Sequence, residues 1–193
     1  MNLIDRAKNI LFSPKTEWEK IQGETIPHVK MLTTYLLWLA LIPAVAAFIG
    51  WGVIGHKVLF VRVAGFGLGI RYALMQFVSV IGGAYLTALA FYLVAPHFGA
   101  KKDFDKAFQL AAYCYTAVCA GGVFYIMWSL SFLAGIAGLY GLYILWLGVK
   151  PMLEVPEEKV TNYFIVALLC MVVISIVLGA ILGAVTGVGT TLV

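Results

Sequence analysis

The sequence has little charge. Only 11% of its 193 residues are Asp, Glu, Lys or Arg, whereas 63% are apolar. A soluble globular domain carries about 25% charged residues, so less than half of the usual solvating charge is present. This shortage excludes a soluble enzyme, a secreted disulfide scaffold, a disordered protein and a nucleic-acid-binding protein. It indicates a protein that crosses a membrane several times.

Residue sets that carry catalysis or bind metals are also missing. The three cysteines lie in apolar runs, and no pair of them has the spacing of a zinc site. No Ser/His/Asp or Cys/His set is arranged for catalysis, and no glycine-rich phosphate loop precedes a lysine. Asp103 and Asp105 alternate with lysines, which already neutralise them, so Asp103 is expected to cap a helix rather than to bind a cation. We expect no catalytic residue, no metal and no cofactor.

Long uncharged runs predict the membrane spans, because a helix needs about 20 apolar residues to cross the hydrocarbon core. The run over 107–149 has 43 residues. It would make a helix of roughly 64 Å, so it must hold two helices, with a turn expected near 128–135. The fold predicted is therefore all-α and polytopic, with five transmembrane helices at about 32–54, 72–96, 106–128, 134–150 and 160–187. Between the first two, Gly65, Gly67 and Gly69 predict a flexible or turning loop.

Charge placement predicts the orientation. Residues 1–30, 101–106 and 150–159 hold 10 of the 13 basic residues and all nine acidic residues. By the positive-inside rule these segments are cytoplasmic, which places the N-terminus inside and the C-terminus outside. Any charged partner is therefore expected on the inner face.

Residues 1–30 predict an amphipathic arm that precedes the five-helix domain of residues 31–193. Leu3, Ile10 and neighbouring apolar residues share one face of a helix that suits the membrane interface, and Ser13-Pro14 predicts the start of a second short helix. The arm is either a packing element at the base of the bundle or a docking element for a partner or lipid. The expected contact residues of the arm and inner loops are Arg6, Lys8, Trp18, Lys101, Lys102, Lys106 and Lys150.

Small residues and aromatic residues predict helix packing. Gly179, Gly183 and Gly187 recur at four-residue spacing, which lets helix backbones approach closely in a membrane. Packing inside one monomer is the first interpretation, and a homodimer seam is the alternative. On the fourth helix the expected packing residues are Tyr140, Tyr143 and Gly148.

The polar residues inside the predicted spans are few, and no carboxylate or basic side chain is among them. Ion-coupled transporters usually keep ionisable groups within their spans, so active transport is disfavoured. A passive path would have to use the amides of Gln76, Gln109 and Asn162.

Several short segments together resemble a known family. They are Ile10-Leu11-Phe12-Ser13-Pro14 followed by Trp18, Val94 to Gly99, Leu139 to Tyr143, Gly148 to Pro151, and Val155 to Lys159. Their order and spacing on a five-span layout resemble the bacterial branch of the Yip family (Yip-one domain, after Ypt/Rab-interacting proteins). The resemblance implies five transmembrane helices, a role in membrane organisation and no enzyme activity. The long acidic N-terminal domain and the Asp-Leu-Tyr-Gly-Pro motif of eukaryotic members are missing here.

Residues and resemblance together predict a non-enzymatic, multi-pass protein of a bacterial inner membrane that scaffolds or organises the membrane through its cytoplasmic face. The expected partners are the lipid bilayer and a cytoplasmic or membrane protein. A homo-oligomer is an open alternative, and no nucleic acid is expected. The alternative function is a passive channel or transporter of a lipid or small solute.

Overall fold

The computed structural model describes residues 2–58 and 61–186, and it consists of two short helices packed against five long ones. The short helices form the N-terminal arm and are α1 (Leu3–Phe12) and α2 (Pro14–Ile21). The long helices are α3 (His28–Ile54), α4 (Phe66–Phe98), α5 (Phe104–Ile126), α6 (Ser131–Leu153) and α7 (Glu157–Thr186). All five are long and apolar enough to cross a membrane, so the prediction of five spans is confirmed.

Local departures from α-helix occur where the long helices begin or end. In α3 the segments Leu32–Leu36 and Ile49–Ile54 are π-helical. The ends of α4 and α5, Ala95–Phe98 and Gly122–Ile126, tighten into 3₁₀ turns. Asp103 begins α5 as expected, because its Oδ1 accepts a hydrogen bond from the backbone N of Lys106 at 3.1 Å.

The connection between α3 and α4, expected to be a flexible or turning loop, has regular structure in its described residues. It contains a small antiparallel hairpin, β1 (His56–Val58) and β2 (Val61–Val63), and α4 begins at Phe66 rather than at 72. Gly69 is therefore helical. A Cβ built on Gly69 would lie 2.7 Å from the Cα of Gly52, so this glycine permits α3 and α4 to cross in close contact.

The helices are unequally buried. Most of α5 lies inside the bundle, between α4 and α6, and it supplies core residues such as Phe108, Leu110 and Tyr113. By contrast α7 lies at the edge, packs mainly on α4 and touches α6 little. Its side chains are largely exposed, which in a bilayer means exposed to lipid.

Candidate functional site

The N-terminal arm and two loops lie next to one another, beside the start of α5 and along the later part of α6, and we treat them as one surface. We call this surface, made of residues 2–27, 99–103 and 154–156, the arm platform. The two loops are joined by a hydrogen bond from the backbone N of Lys101 to the carbonyl O of Leu153, at 2.9 Å. The arm extends along the side of α6, because Tyr140 Oη donates to the carbonyl O of Leu11 at 2.6 Å. Tyr140 lies 13 residues before the end of α6, roughly 20 Å along the helix axis.

A buried ion cluster centred on Arg6 holds α1 against α2. Arg6 Nη1 lies 2.9 Å from Glu17 Oε1, and Arg6 Nη2 lies 2.6 Å and 2.7 Å from the two carboxylate oxygens of Glu24. Arg6 is only 4% exposed and Glu17 only 1%. Its guanidinium also lies 5.9 Å from the ring centroid of Tyr113 on α5, which ties the cluster to the bundle.

These neighbours keep the Arg6 side chain protonated. Burial by itself lowers the pKa of the Arg6 guanidinium, but the hydrogen bond to Glu24 and the charges around it outweigh burial and raise the pKa above its ordinary value. The Arg6 guanidinium therefore keeps its charge, and this buried charge depends on the neighbouring carboxylates for compensation.

Trp18 anchors α2 to the bundle. Its ring is 1% exposed and meets the ring of Tyr113 edge-on, with centroids 5.7 Å apart. Trp18 Nε1 donates to the carbonyl O of Ile144 on α6 at 3.1 Å. Gly148 makes room for the indole, since a Cβ at that position would lie 2.6 Å from Trp18 Cζ2. The arm is thus held by the Trp18 side chain, which is inserted into a slot between α5 and α6.

The segment between α2 and α3 is held by the start of α5. Lys106 Nζ donates to the carbonyl oxygens of Gln22 and Glu24, at 2.8 Å and 2.7 Å. Asp105 Oδ1 accepts from the backbone N of His28 at 2.8 Å and lies 2.7 Å from His28 Nδ1. These contacts fix the point at which the arm turns into the first span.

The seven expected contact residues divide into two groups. Lys8, Lys101, Lys102 and Lys150 are exposed, so they are available to a partner or lipid. Arg6, Trp18 and Lys106 are buried, with at most 6% of any of them exposed, so the expectation that these three form part of an open contact surface is wrong. They hold the arm in place because their charges and indole N–H find partners inside the protein.

The expected packing residues also divide. Gly148 packs tightly under Trp18, and Tyr140 holds the arm, whereas Tyr143 is exposed beside Tyr140. At Gly179 and Gly183 an added Cβ would meet nothing within 4 Å, so the expectation that they pack inside one monomer is wrong. The reason is that no atom of another helix lies within contact distance of a Cβ at these two positions. Gly187 lies outside the described residues.

The three amides of the expected polar path do not come together. Gln76 lines a cavity between α4, α5, α6 and α7, and no residue of the arm platform is among those that line it. Gln109 is fully buried in the core, and neither polar atom of its amide has a hydrogen-bond partner among the described residues. Asn162 is exposed near the start of α7. The structure therefore shows no continuous polar path through these residues.

Glu17, Glu24, Asp105 and His28 are site residues that the sequence did not identify. For Glu17 a signal was present, because it lies on the same face of α2 as Pro14 and Ile21, which are buried. A carboxylate on an apolar helix stripe indicates a buried charge that needs a partner. For the other three no local pattern exists, since their partners are far away in the chain.

Metal-binding clusters are not found in the described part of the chain, where no three or more His, Cys, Asp or Glu side chains converge. The fold and the arm platform thus define a polytopic membrane protein with five spanning helices and a docked N-terminal arm. The Yip1 domain family matches residues 8–186, which is nearly the whole chain, and the protein belongs to this family. Comparisons with curated proteins and with solved structures give no significant match.

Proposed function

We propose that this protein is a non-enzymatic scaffold of a bacterial inner membrane and that it organises the membrane through the arm platform. The observation that carries the proposal is the fixed docking of the arm, by the Arg6 cluster and by Trp18 in its slot. Because arm and loops form one ordered surface, a partner meets a defined shape rather than three independent segments. Such pre-organisation lowers the entropy cost of binding.

The distribution of charge supports a cytoplasmic location for the platform. The arm, the loop around 101–106 and the loop around 150–159 carry 10 of the 13 basic residues. Basic residues concentrate on the cytoplasmic side of membrane proteins. This distribution supports an N-terminus inside and, after five spans, a C-terminus outside.

The outer surface of α1 has the chemistry of a lipid-contacting helix. Ile4, Lys8 and Phe12 follow one another at four-residue spacing and so share one helix stripe. Ile4 is 56% exposed and Phe12 is 83% exposed. Two apolar side chains on either side of a lysine suit the inner leaflet, where the apolar groups enter the acyl region and the ammonium reaches a lipid phosphate.

The loop lysines play a lesser part in this contact. Lys101 lies 3.4 Å from Glu154, and Lys150 pairs with Glu157, so carboxylates partly balance both charges. Lys102 Nζ lies 5.0 Å from the ring centroid of Tyr92. Among the described residues, no carboxylate forms an ion pair with it. We therefore assign the contact first to Lys8 and Lys102.

The test is purification from native membranes into lipid discs, with co-purified lipids and proteins identified by mass spectrometry. The informative variant is Lys8→Glu with Phe12→Ser, because both side chains are exposed and the arm should stay docked. The matched control is Arg71→Glu, an exposed charge near the opposite end of α4. We expect the double variant to lose the lipids or proteins enriched with the wild type and the control to keep them. Identical sets for all three proteins would contradict the proposal.

Deleting residues 1–21 is a poorer test. The deletion removes Trp18 and so uncovers Tyr113 and the slot at Gly148. A lost partner would then report either the missing surface or a damaged bundle.

The alternative function, passive passage of a lipid or small solute, finds support only in the cavity at Gln76. A flux assay in proteoliposomes separates the two functions. A saturable flux that is abolished by Gln76→Leu would favour the transporter over the scaffold.

A further inference from the structure

A cavity of about 230 Å³ lies within the spans, independent of the arm platform. Four helices border it: α4 at Gln76, α5 at Tyr115, α6 at Gly138 and α7 at Gly179. It lies beside the seam where α6 and α7 touch little. In a membrane this position places it next to the acyl chains.

On two of its sides the cavity wall is formed by glycines, which have no side chain. A Cβ added at Gly138 or at Gly179 would meet nothing within 4 Å. Glycines at these positions therefore leave space instead of packing helices together, and the space is bounded mainly by apolar residues such as Leu142, Ile174 and Leu178.

The polar groups on the wall are few. Ser175 Oγ already has a hydrogen-bond partner, because it donates to the carbonyl O of Met171 at 2.8 Å. Gln76 is half-buried, and an amide in hydrocarbon gains from a hydrogen-bond partner. The cavity thus offers an apolar volume with one amide ready to meet a polar atom.

The lining of the cavity indicates its occupant. Most of the lining residues are apolar and the cavity lies next to the acyl chains of the bilayer, which suits part of an acyl chain. We propose that the cavity binds one acyl chain of a bilayer lipid, with Gln76 donating to the ester carbonyl of that chain.

The test uses vesicles that contain a glycerophospholipid with a photoreactive diazirine on one acyl chain. After illumination, labelled peptides are mapped by mass spectrometry. The cavity-filling variants are Gly138→Leu and Gly179→Leu. Their matched controls are Gly135→Leu and Gly183→Leu, which lie on the same helices, are equally free of neighbours and do not line the cavity.

We expect the wild type and both controls to carry adducts on the cavity-lining peptides and both cavity-filling variants to lose at least nine-tenths of them. All five proteins should melt alike, since none of the added side chains meets a neighbour within the chain at its Cβ. The variant Gln76→Leu should lower adduct yield about fivefold with an ester-linked probe and leave it unchanged with an ether-linked probe.

Three results would overturn the proposal. Equal labelling of all five proteins would show that only lipid surrounding the bundle reacts. Photo-crosslinks between two copies of the chain would show that α7 packs against a second copy instead, if both Gly179→Leu and Gly183→Leu abolish them. A solute flux that the cavity-filling variants block, without any lipid adduct in the wild type, would show a water-filled path.

Discussion

Removing the charge of Arg6 should release the arm from the bundle. Arg6→Met keeps an unbranched stem of similar length, but it leaves Glu17 charged at a position only 1% exposed. Breaking a buried ion pair on one side costs about 3–5 kcal/mol. Glu24 is 40% exposed and can turn to water, and Lys20 Nζ still lies 3.3 Å from Glu17, so we expect the low end of that range.

The loss should be local, because the ion pairs of the cluster lie within residues 6–24 and do not join the spans to one another. A cost of about 3 kcal/mol lowers the docking equilibrium by roughly two orders of magnitude. Hydrogen exchange of the α1 and α2 amides in detergent or lipid discs measures this directly. We expect exchange to accelerate about 100-fold in α1 and α2 and to stay unchanged in α5.

Two further variants make the prediction specific. Arg6→Met with Glu17→Gln removes both charges and should recover most of the protection, because a neutral pair needs no compensation. Lys20→Met should change protection little, since the side chain of Lys20 is 64% exposed and such pairs contribute at most about 1 kcal/mol. Unchanged exchange in Arg6→Met, or no recovery in the double variant, would refute the reasoning.

Three other substitutions test single contacts through thermal unfolding of the purified protein. Gly148→Ala should destabilise it by about 1–3 kcal/mol, because the new Cβ displaces Trp18; a melting point equal to the wild type would count against the slot. Gln109→Leu should stabilise it by about 1–3 kcal/mol by removing a buried amide without partners, and a lower melting point would reveal a hidden partner. Tyr35→Phe should cost about 1 kcal/mol, since it breaks the 2.8 Å hydrogen bond to Thr116, and Tyr35→Phe should cost nothing further in a Thr116→Val background.

The number of spans could be predicted because bilayer thickness fixes helix length, whereas their exact ends could not. The expected start of the second span at 72 followed from the charge of Arg71, which ended the uncharged run. In the structure α4 continues through Arg71 to Phe66, with Arg71 exposed near the helix end. A long basic side chain near a helix end can reach the interface, so a single charge there does not end a span.

The surface of the arm could be predicted in part. Amphipathic periodicity located α1 and α2, but it placed Arg6 opposite the apolar face of α1, among the expected contact residues. Arg6 is buried because two carboxylates from beyond α1, 11 and 18 residues away, converge on it. A pairing of this kind depends on how α1 folds back over α2, and helical periodicity carries no information on that turn.

The segments that resemble the Yip family meet in space at the arm platform. This explains why their order and spacing identify the family better than any one segment does. Trp18 from the first segment lies over Gly148 from a later one, and Tyr140 bonds to Leu11 across the same seam. The segment ending at Gly99 closes α4 with a left-handed residue at φ 71°, which directs the chain toward the loop that Lys101 ties to Leu153. Each segment alone describes an ordinary helix end or turn. Their common order and spacing describe one docking arrangement, so the pattern by which the family was identified is also the structural basis of the arm platform.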